Sequence, residues 1–473
     1  MIFLDCKIRD RRRYDQIVKF EIQINDSLNS KLATKVKFSL IIFCLILLTN
    51  QFKLISIDEF LQFAYGSLRN IDEFLRVVVN SAQDINHNQT GIYSLFNYLM
   101  LSNFDVNTFS LRGPSFLSGL LIIIFLYTYL KNLRLIALNS ILLYLMFMLS
   151  FFTIFQFMAE GRPYIVLSLS CLGVFLFFYS LLVHEIKFNK IFYASVILGS
   201  FFHPYLILYL IFFSFIFLIL FALKSRVKDI MYYLIISNLL SFIINVILYS
   251  YVWGTNSIYF SGFDPFQFTN GFWYFIPLLL AGNFSPITFS QLTSGQTPLF
   301  ISSFSIIFYL LFIVVLVIFI LRNRSNAIIK LNLFLVLATF LFSFLLSAVS
   351  LYFNYWILTR QWIGSLIIIV FCLINISIEL FNSKTDWILK KMAQFSISLL
   401  FLFQVMYYTH MNVSNYYVKM QVEKSDIIKL EMPLNNTDDY IRLSNMNLTF
   451  GGPIYPQFRD FYLPYLKRTK TYE

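Results

Sequence analysis

The sequence predicts an all-α polytopic membrane protein, and its composition and the grouping of its apolar residues lead to that prediction. Of its 473 residues, 58% are hydrophobic and only 13% are charged, whereas a soluble globular chain usually carries about 25% charged residues. The apolar residues also come in blocks of about 20, the length at which a helix crosses the hydrocarbon core of a bilayer. Helices are expected because each backbone N–H and C=O in lipid must be satisfied within its own segment.

The apolar blocks, taken in order, predict about eleven membrane-spanning helices. Two further apolar stretches, 92–101 and 272–282, are too short to span and are expected to be re-entrant or interfacial. His203 and Pro204 lie between two neighbouring blocks and predict a sharp outer turn there. The predicted spans cover residues 38–55, 113–130, 135–157, 164–183, 190–202, 205–223, 230–250, 298–321, 331–350, 362–380 and 392–410.

The Lys and Arg residues orient these spans, because cytoplasmic loops of membrane proteins are enriched in positive charge. With a cytoplasmic N-terminus, 22 basic residues fall in the N-terminal segment and the inner loops, and six fall in the outer loops between spans. This predicts a basic cytoplasmic segment at 1–37, a transmembrane domain at 38–410 and a small extracytoplasmic region at 411–473. The formal net charge of +12 is then explained by membrane topology, and nucleic acid is not expected as a partner.

Six carboxylates lie in the first predicted outer loop, residues 56–111, whereas carboxylates are almost missing from the predicted spans, Glu379 being the main exception. A proton- or ion-coupled transporter is expected to keep ionisable groups at membrane depth. A carboxylate at the membrane–water boundary instead suits a general base that acts on a hydroxyl group. The alternative for these residues is a solvated acidic loop.

Several short motifs follow one another at fixed places relative to the predicted spans. They are ISIDEFLQFAYGSLRNIDEFL (55–75), NQTGIYSLFNYLML (88–101), SLRGPSFLSGLLIIIFLY (110–127), FQFMAEGRPYIVLSLS (155–170), FFHPYL (201–206) and NYWILTRQWIGSLIIIV (354–370). This succession resembles the GT-C superfamily of membrane glycosyltransferases, most closely the bacterial branch related to protein O-mannosyltransferases and aminoarabinose transferases. The resemblance covers roughly residues 38–380 and implies a GT-C-like bundle of about 11 transmembrane helices.

The resemblance assigns candidate catalytic carboxylates. Asp58 matches the Asp that activates the acceptor hydroxyl, with Glu59 as its neighbour. Glu160, in EGRPY, is the third candidate, and an intra-loop salt bridge is its alternative. Tyr93 is a candidate substrate contact, although residues 89–91 depart from the His-Pro-Pro that commonly precedes this Tyr in the family.

The resemblance also implies cationic contacts to the phosphate of a lipid carrier. Arg162 and Arg360 are the main candidates, because the planar guanidinium of Arg binds phosphate oxygens in a bidentate manner. Arg112 is a further candidate, with an interfacial anchor as the alternative, and an interfacial role is also open for Arg360. His203 is either a phosphate contact or a cap on the helix break.

The implied function is transfer of a sugar, with inversion, from a polyprenyl-phosphate donor to a hydroxyl of a glycan, lipid or protein acceptor at the outer face. No cofactor is required, although Asp58, Glu59 and Glu160 could hold a divalent metal ion. The expected location is a bacterial inner membrane, with a cytoplasmic N-terminus and an extracytoplasmic C-terminus. The alternatives are a lipid-linked glycan transporter or flippase and an O-antigen-type polysaccharide polymerase.

Overall fold

The computed structural model describes residues 71–72, 91–104, 108–132, 161–184, 188–254, 299–352, 362–383, 386–403 and 406. Every regular element in these ranges is an α-helix. In chain order the helices are α1 (Gly91–Asn103), α2 (Thr108–Asn132), α3 (Tyr164–Val183), α4 (Asn189–Phe202), α5 (Leu206–Leu223), α6 (Lys228–Gly254), α7 (Leu299–Arg322), α8 (Ala327–Tyr352), α9 (Ile363–Asn382) and α10, residues 387–403.

Within the described residues, five helical segments are long and apolar enough to cross a membrane. They are Tyr164–Val183, Leu206–Leu223, Lys228–Leu248, Ala327–Leu346 and Ile363–Asn382. This confirms the prediction of an α-helical membrane protein. The number of about eleven crossings stays a prediction, because the blocks 38–55 and 135–157, the stretch 272–282 and the region 411–473 lie outside the described residues.

Helix α1 confirms that the stretch 92–101 is too short to span. Its 13 residues correspond to a length of about 20 Å at 1.5 Å per residue, less than the roughly 30 Å of the hydrocarbon core. Helix α2 begins five residues before the predicted start of 113, because Pro114 lies inside the helix rather than at its beginning. The hydroxyl of Ser118 donates to the carbonyl of Pro114 at 2.8 Å. The helix therefore includes Arg112, which sequence reasoning placed in a loop.

Two helices form the centre of the bundle. In α3, every residue from Tyr164 to Leu182 is buried, and α9 is nearly as deeply enclosed. Helix α3 packs against α2, α4, α5 and α9, while α9 also packs against α7 and α8. The rings of Phe175 and Phe371 meet between the two central helices with their centroids 5.4 Å apart.

Helix α6, on the periphery, carries polar side chains on its inner face and apolar side chains on its outer face. Ser237, Ser241 and Asn245 recur every four residues and are all buried. Large apolar side chains such as Leu239 and Ile247 are exposed, the latter to 71%. A helix at the surface of a soluble protein shows the opposite pattern, so the outer face of α6 is suited to lipid.

The loops that are rich in Lys and Arg lie together at one end of the bundle. Lys224, after α5, donates to the carbonyl of Leu182 near the end of α3 at 2.9 Å. Asn326, before α8, donates to Glu379 near the end of α9 at 2.8 Å. Arg322, at the end of α7, forms an ion pair with Asp386 before α10. This end is called the basic end below, and the end where α2, α3, α5 and α9 begin is called the opposite end.

Candidate functional site

Four of the eight predicted site residues fall in the described part of the chain, and the structure places them all at the opposite end. These are Tyr93, Arg112, Arg162 and His203. For Asp58, Glu59, Glu160 and Arg360 the assigned roles stay predictions, because those residues lie outside the described ranges.

Arg112 lies in the second turn of α2 and is fully buried. An interfacial anchor reaches out to water or to headgroups, so complete burial within the protein argues against that interpretation of Arg112. Ser115 follows three residues later and therefore lies on the same side of the helix, within about 6 Å. The contacts of Ser115 thus locate Arg112 relative to the rest of the site.

Gly161 allows the beginning of α2 to approach the segment that precedes α3. A Cβ atom at position 161 would lie 2.9 Å from Leu111 Cγ and 3.2 Å from the Leu111 carbonyl oxygen. A side chain at this position would therefore push against the backbone of α2. Because Leu111 and Gly161 each immediately precede an arginine, this close approach brings the backbone of Arg112 near that of Arg162.

A hydrogen-bond chain through Ser115 fixes this approach. The hydroxyl of Ser115 donates to the backbone carbonyl of Arg162 at 2.8 Å and shares a second hydrogen bond, at 2.5 Å, with the hydroxyl of Tyr93 on α1. Tyr93 is fully buried, and its ring meets that of Phe202 at the end of α4. Tyr93 therefore joins α1 to α2 and α4, and its assignment as a substrate contact stays a prediction.

The guanidinium of Arg162 is held by the residue that opens α3. Arg162 Nη2 donates to the hydroxyl of Tyr164 at 2.8 Å, and the guanidinium carbon lies 5.2 Å from the centroid of the Tyr164 ring. The side chain of Arg162 is only 2% exposed. A buried guanidinium with a fixed direction is well prepared to bind an anion, since little conformational entropy remains to be lost.

His203 occupies the break between α4 and α5, as the sequence predicts. Its backbone is extended, its side chain is 1% exposed, and its ring lies 5.5 Å from that of Tyr164. The ring nitrogen Nδ1 accepts a hydrogen bond from the backbone N–H of Tyr205 at 3.2 Å. His203 therefore caps the break and also contacts the residue that holds Arg162.

Sequence reasoning did not assign roles to Ser115, Tyr164 or Tyr205, although all three occur within the quoted motifs. A local signal was present, because a Tyr follows both Arg162 and His203 at a distance of two residues. The role of Ser115 gave no comparable signal, because its partners are 22 and 47 residues away in the sequence.

In the described part of the chain, no group of three or more His, Cys, Asp or Glu side chains is arranged to hold a metal ion. The carboxylates suggested as possible metal ligands are not among those residues. Comparisons with protein-family models, with curated proteins and with solved structures found nothing that matches this chain.

Proposed function

We propose that this protein is a membrane glycosyltransferase of the GT-C type, which transfers a sugar from a polyprenyl-phosphate donor to a hydroxyl acceptor. The observation that supports the proposal is the convergence of Arg112, Arg162 and His203 at the opposite end of the bundle. These residues come from three separate segments of the chain, and each is buried. The resemblance implies phosphate contacts for the same three residues.

A phosphate ligand would account for the presence of two arginines at the opposite end of the bundle. When the sugar leaves its carrier, the polyprenyl phosphate departs with increased negative charge. Preorganised cations stabilise such a charge most effectively where water is excluded. Arg112 and Arg162 supply two permanent positive charges in that setting.

The acceptor side of the reaction is assigned to carboxylates outside the described residues. Asp58 takes the proton from the acceptor hydroxyl, with Glu59 beside it, and the hydroxyl oxygen attacks the anomeric carbon from the face opposite the phosphate. The bond from the anomeric carbon to the phosphate oxygen breaks, so the sugar is inverted. Glu160 is the second candidate base, and Arg360 is a further phosphate contact.

The polar contacts inside the described spans favour this proposal over an ion-coupled transporter. Inside the described helices, about one turn from the basic end, Tyr179 accepts hydrogen bonds from Asn332 at 3.0 Å and from Asn375 at 3.4 Å. These three side chains are uncharged, and buried neutral hydrogen bonds of this kind join transmembrane helices. Glu379, by contrast, is bonded to Asn326 at the basic end.

The topology proposed with this function places the basic end in the cytoplasm of a bacterial cell and the phosphate site at the extracytoplasmic face of the inner membrane. The excess of Lys and Arg at one end supports this orientation. The donor then enters laterally from the lipid, and the acceptor reaches the site from outside.

The test is sugar transfer by purified full-length protein in nanodiscs. Wild type, Asp58→Asn and the matched control Asp72→Asn are incubated with radiolabelled polyprenyl-phosphate sugars and a membrane-glycan extract. We expect transfer by wild type and by the Asp72 variant, and none by the Asp58 variant at unchanged melting temperature. Equal transfer by all three would move the base elsewhere, with Glu160 next. No transfer with any donor would contradict the proposed function and leave transport and polymerisation to be tested.

A further inference from the structure

We propose that the surface where α4 and α6 begin binds the headgroup of an anionic phospholipid at the basic end of the bundle. This surface consists of Lys190 and Tyr193 on α4 and of Lys228 and Tyr232 on α6, and it is called the α4–α6 patch below. It lies at the other end of the bundle from the candidate functional site. The inference does not depend on the proposed sugar transfer and requires only that the chain resides in a membrane, as its apolar helices indicate.

The two helices of the patch present the same pair of side chains in the same order. Helices α4 and α6 both begin at the basic end and pack against each other. Lys190 precedes Tyr193 by three residues, and Lys228 precedes Tyr232 by four. Residues three or four apart lie on the same face of a helix. Each helix therefore carries a lysine about one turn nearer to the basic end than its tyrosine.

Contacts between the tyrosines join the two helix faces into one surface. The side chain of Tyr193 forms a hydrogen bond with that of Tyr232. The ring of Tyr233 lies 6.4 Å from that of Tyr193 and 5.6 Å from that of Tyr232, and its hydroxyl donates to Asn189 at 3.2 Å. Because each lysine lies about one turn from this tyrosine pair and has a flexible four-carbon stem, both ammonium groups can reach the same anion.

The patch lies at the boundary between hydrocarbon and water. Its two lysines are exposed, and the side chain of Tyr232 is 61% exposed. The apolar span of α6 begins at Lys228. Tyr is enriched at this boundary, and Lys extends its ammonium group there into the headgroup layer. Asp229, beside Lys228, forms an ion pair with Arg226 at 2.7 Å, so the charge of this carboxylate is balanced by Arg226.

Apolar side chains continue both helix faces into the membrane. Ile197 on α4 follows Tyr193 by about one turn, and Ile235 and Leu239 on α6 follow Tyr232 by about one and two turns. The side chains of Ile197, Ile235 and Leu239 are 40%, 57% and 55% exposed. The surface is thus cationic and hydroxylated at its outer part and apolar below, which is the order of complementary groups that a phospholipid with an anionic headgroup requires.

The chemistry of the patch favours a phospholipid with net negative charge. Two ammonium groups attract a phosphate as point charges, and basic surfaces between transmembrane helices bind anionic lipid headgroups. A hydrogen bond between two hydroxyls uses one proton, so the second tyrosine of the pair keeps a proton that it can donate to a headgroup oxygen. A zwitterionic headgroup brings its own positive charge and is expected to bind more weakly.

The experiment titrates purified full-length protein, in micelles of a neutral detergent, with phosphatidylglycerol and counts bound lipids by native mass spectrometry. Phosphatidylcholine is the lipid without net charge. The test variant combines Lys190→Gln and Lys228→Gln. The matched control combines Arg324→Gln and Lys391→Gln and removes two exposed positive charges elsewhere at the basic end. We expect the test variant to bind the first phosphatidylglycerol about thirtyfold more weakly than wild type, from two lysines near an anionic headgroup, and the control variant to bind it like wild type.

Tyr232→Phe provides the second test, because it removes a hydroxyl and leaves every charge in place. We expect its affinity for phosphatidylglycerol to fall about fivefold, the effect of one lost hydrogen bond, with unchanged affinity for phosphatidylcholine. Wild-type affinity in both the double lysine variant and Tyr232→Phe would overturn the proposal. So would an equal loss in the test and control double variants, because the overall charge of the basic end would then attract the lipid. A wild-type protein that binds the two phospholipids equally would also overturn it.

Discussion

The close approach at Gly161 leads to a prediction with a built-in control. Gly161→Ala adds a methyl group 2.9 Å from Leu111 Cγ and 3.2 Å from the Leu111 carbonyl oxygen. The carbonyl belongs to the backbone of α2 and cannot turn away as a side chain can. Gly113→Ala, in the same region, meets only the terminal methyl group of Met100, at 2.7 Å. That group is the end of a flexible chain and can move aside.

The two substitutions are expected to affect the free energy of unfolding differently. Overpacking against a fixed neighbour typically costs about 1–3 kcal/mol, and the reduced freedom of the unfolded chain returns about 0.4–1 kcal/mol of that on replacing Gly by Ala. Gly161→Ala should therefore lower the free energy of unfolding by about 1–2 kcal/mol. Gly113 lies inside α2, where Ala is favoured over Gly by about 1 kcal/mol. Gly113→Ala should therefore be neutral or stabilising.

The assay is equilibrium unfolding in mixed micelles with increasing SDS, followed by tryptophan fluorescence, for wild type and the two alanine variants. The reasoning also predicts that Gly161→Ala weakens binding of undecaprenyl phosphate, because it displaces Arg162 relative to Arg112. An unfolding midpoint for Gly161→Ala equal to that of Gly113→Ala would refute the argument that backbone contact sets the position of the two arginines.

Three other predictions concern packing and topology. Asn332→Ala removes a hydrogen bond to Tyr179 between α8 and α3 and should cost about 0.6–1.7 kcal/mol in SDS unfolding; an unchanged midpoint would count against this contact. Gly173→Ala should disrupt the packing of α3 against α4, because its methyl group would overlap the Ser195 hydroxyl, and adding Ser195→Gly should restore the unfolding midpoint of wild type. A failure of that rescue would place the strain elsewhere. Ser225→Cys, at an exposed position at the basic end, should react with a membrane-impermeant maleimide only in inverted vesicles; labelling in intact cells would reverse the proposed topology.

The membrane-spanning helices were predictable from the sequence because the cost of burying polar groups in hydrocarbon acts on each segment separately. The apolar block predicted at 164–183 coincides with helix α3, and the break at His203 lies where the sequence placed it. The start of α2 was predicted too late, because Gly113 and Pro114 were taken as the end of a loop. Tertiary contacts override that local preference, with Ser115 and Leu111 both packed against the segment before α3.

The candidate site was likewise predictable from the sequence only in part. The sequence by itself determined that helices cross a membrane, that positive charge is concentrated in alternate loops, and that Arg112, Arg162 and His203 lie near helix ends. Only the tertiary structure decided that the segments carrying these three residues meet at one end of the bundle. The physical reason is that the contacts that join them, Ser115 to the carbonyl of Arg162 and Tyr164 to His203, link residues 47 and 39 positions apart in the sequence. Hydropathy and charge patterns act over one helix at a time, whereas these contacts depend on how the helices pack.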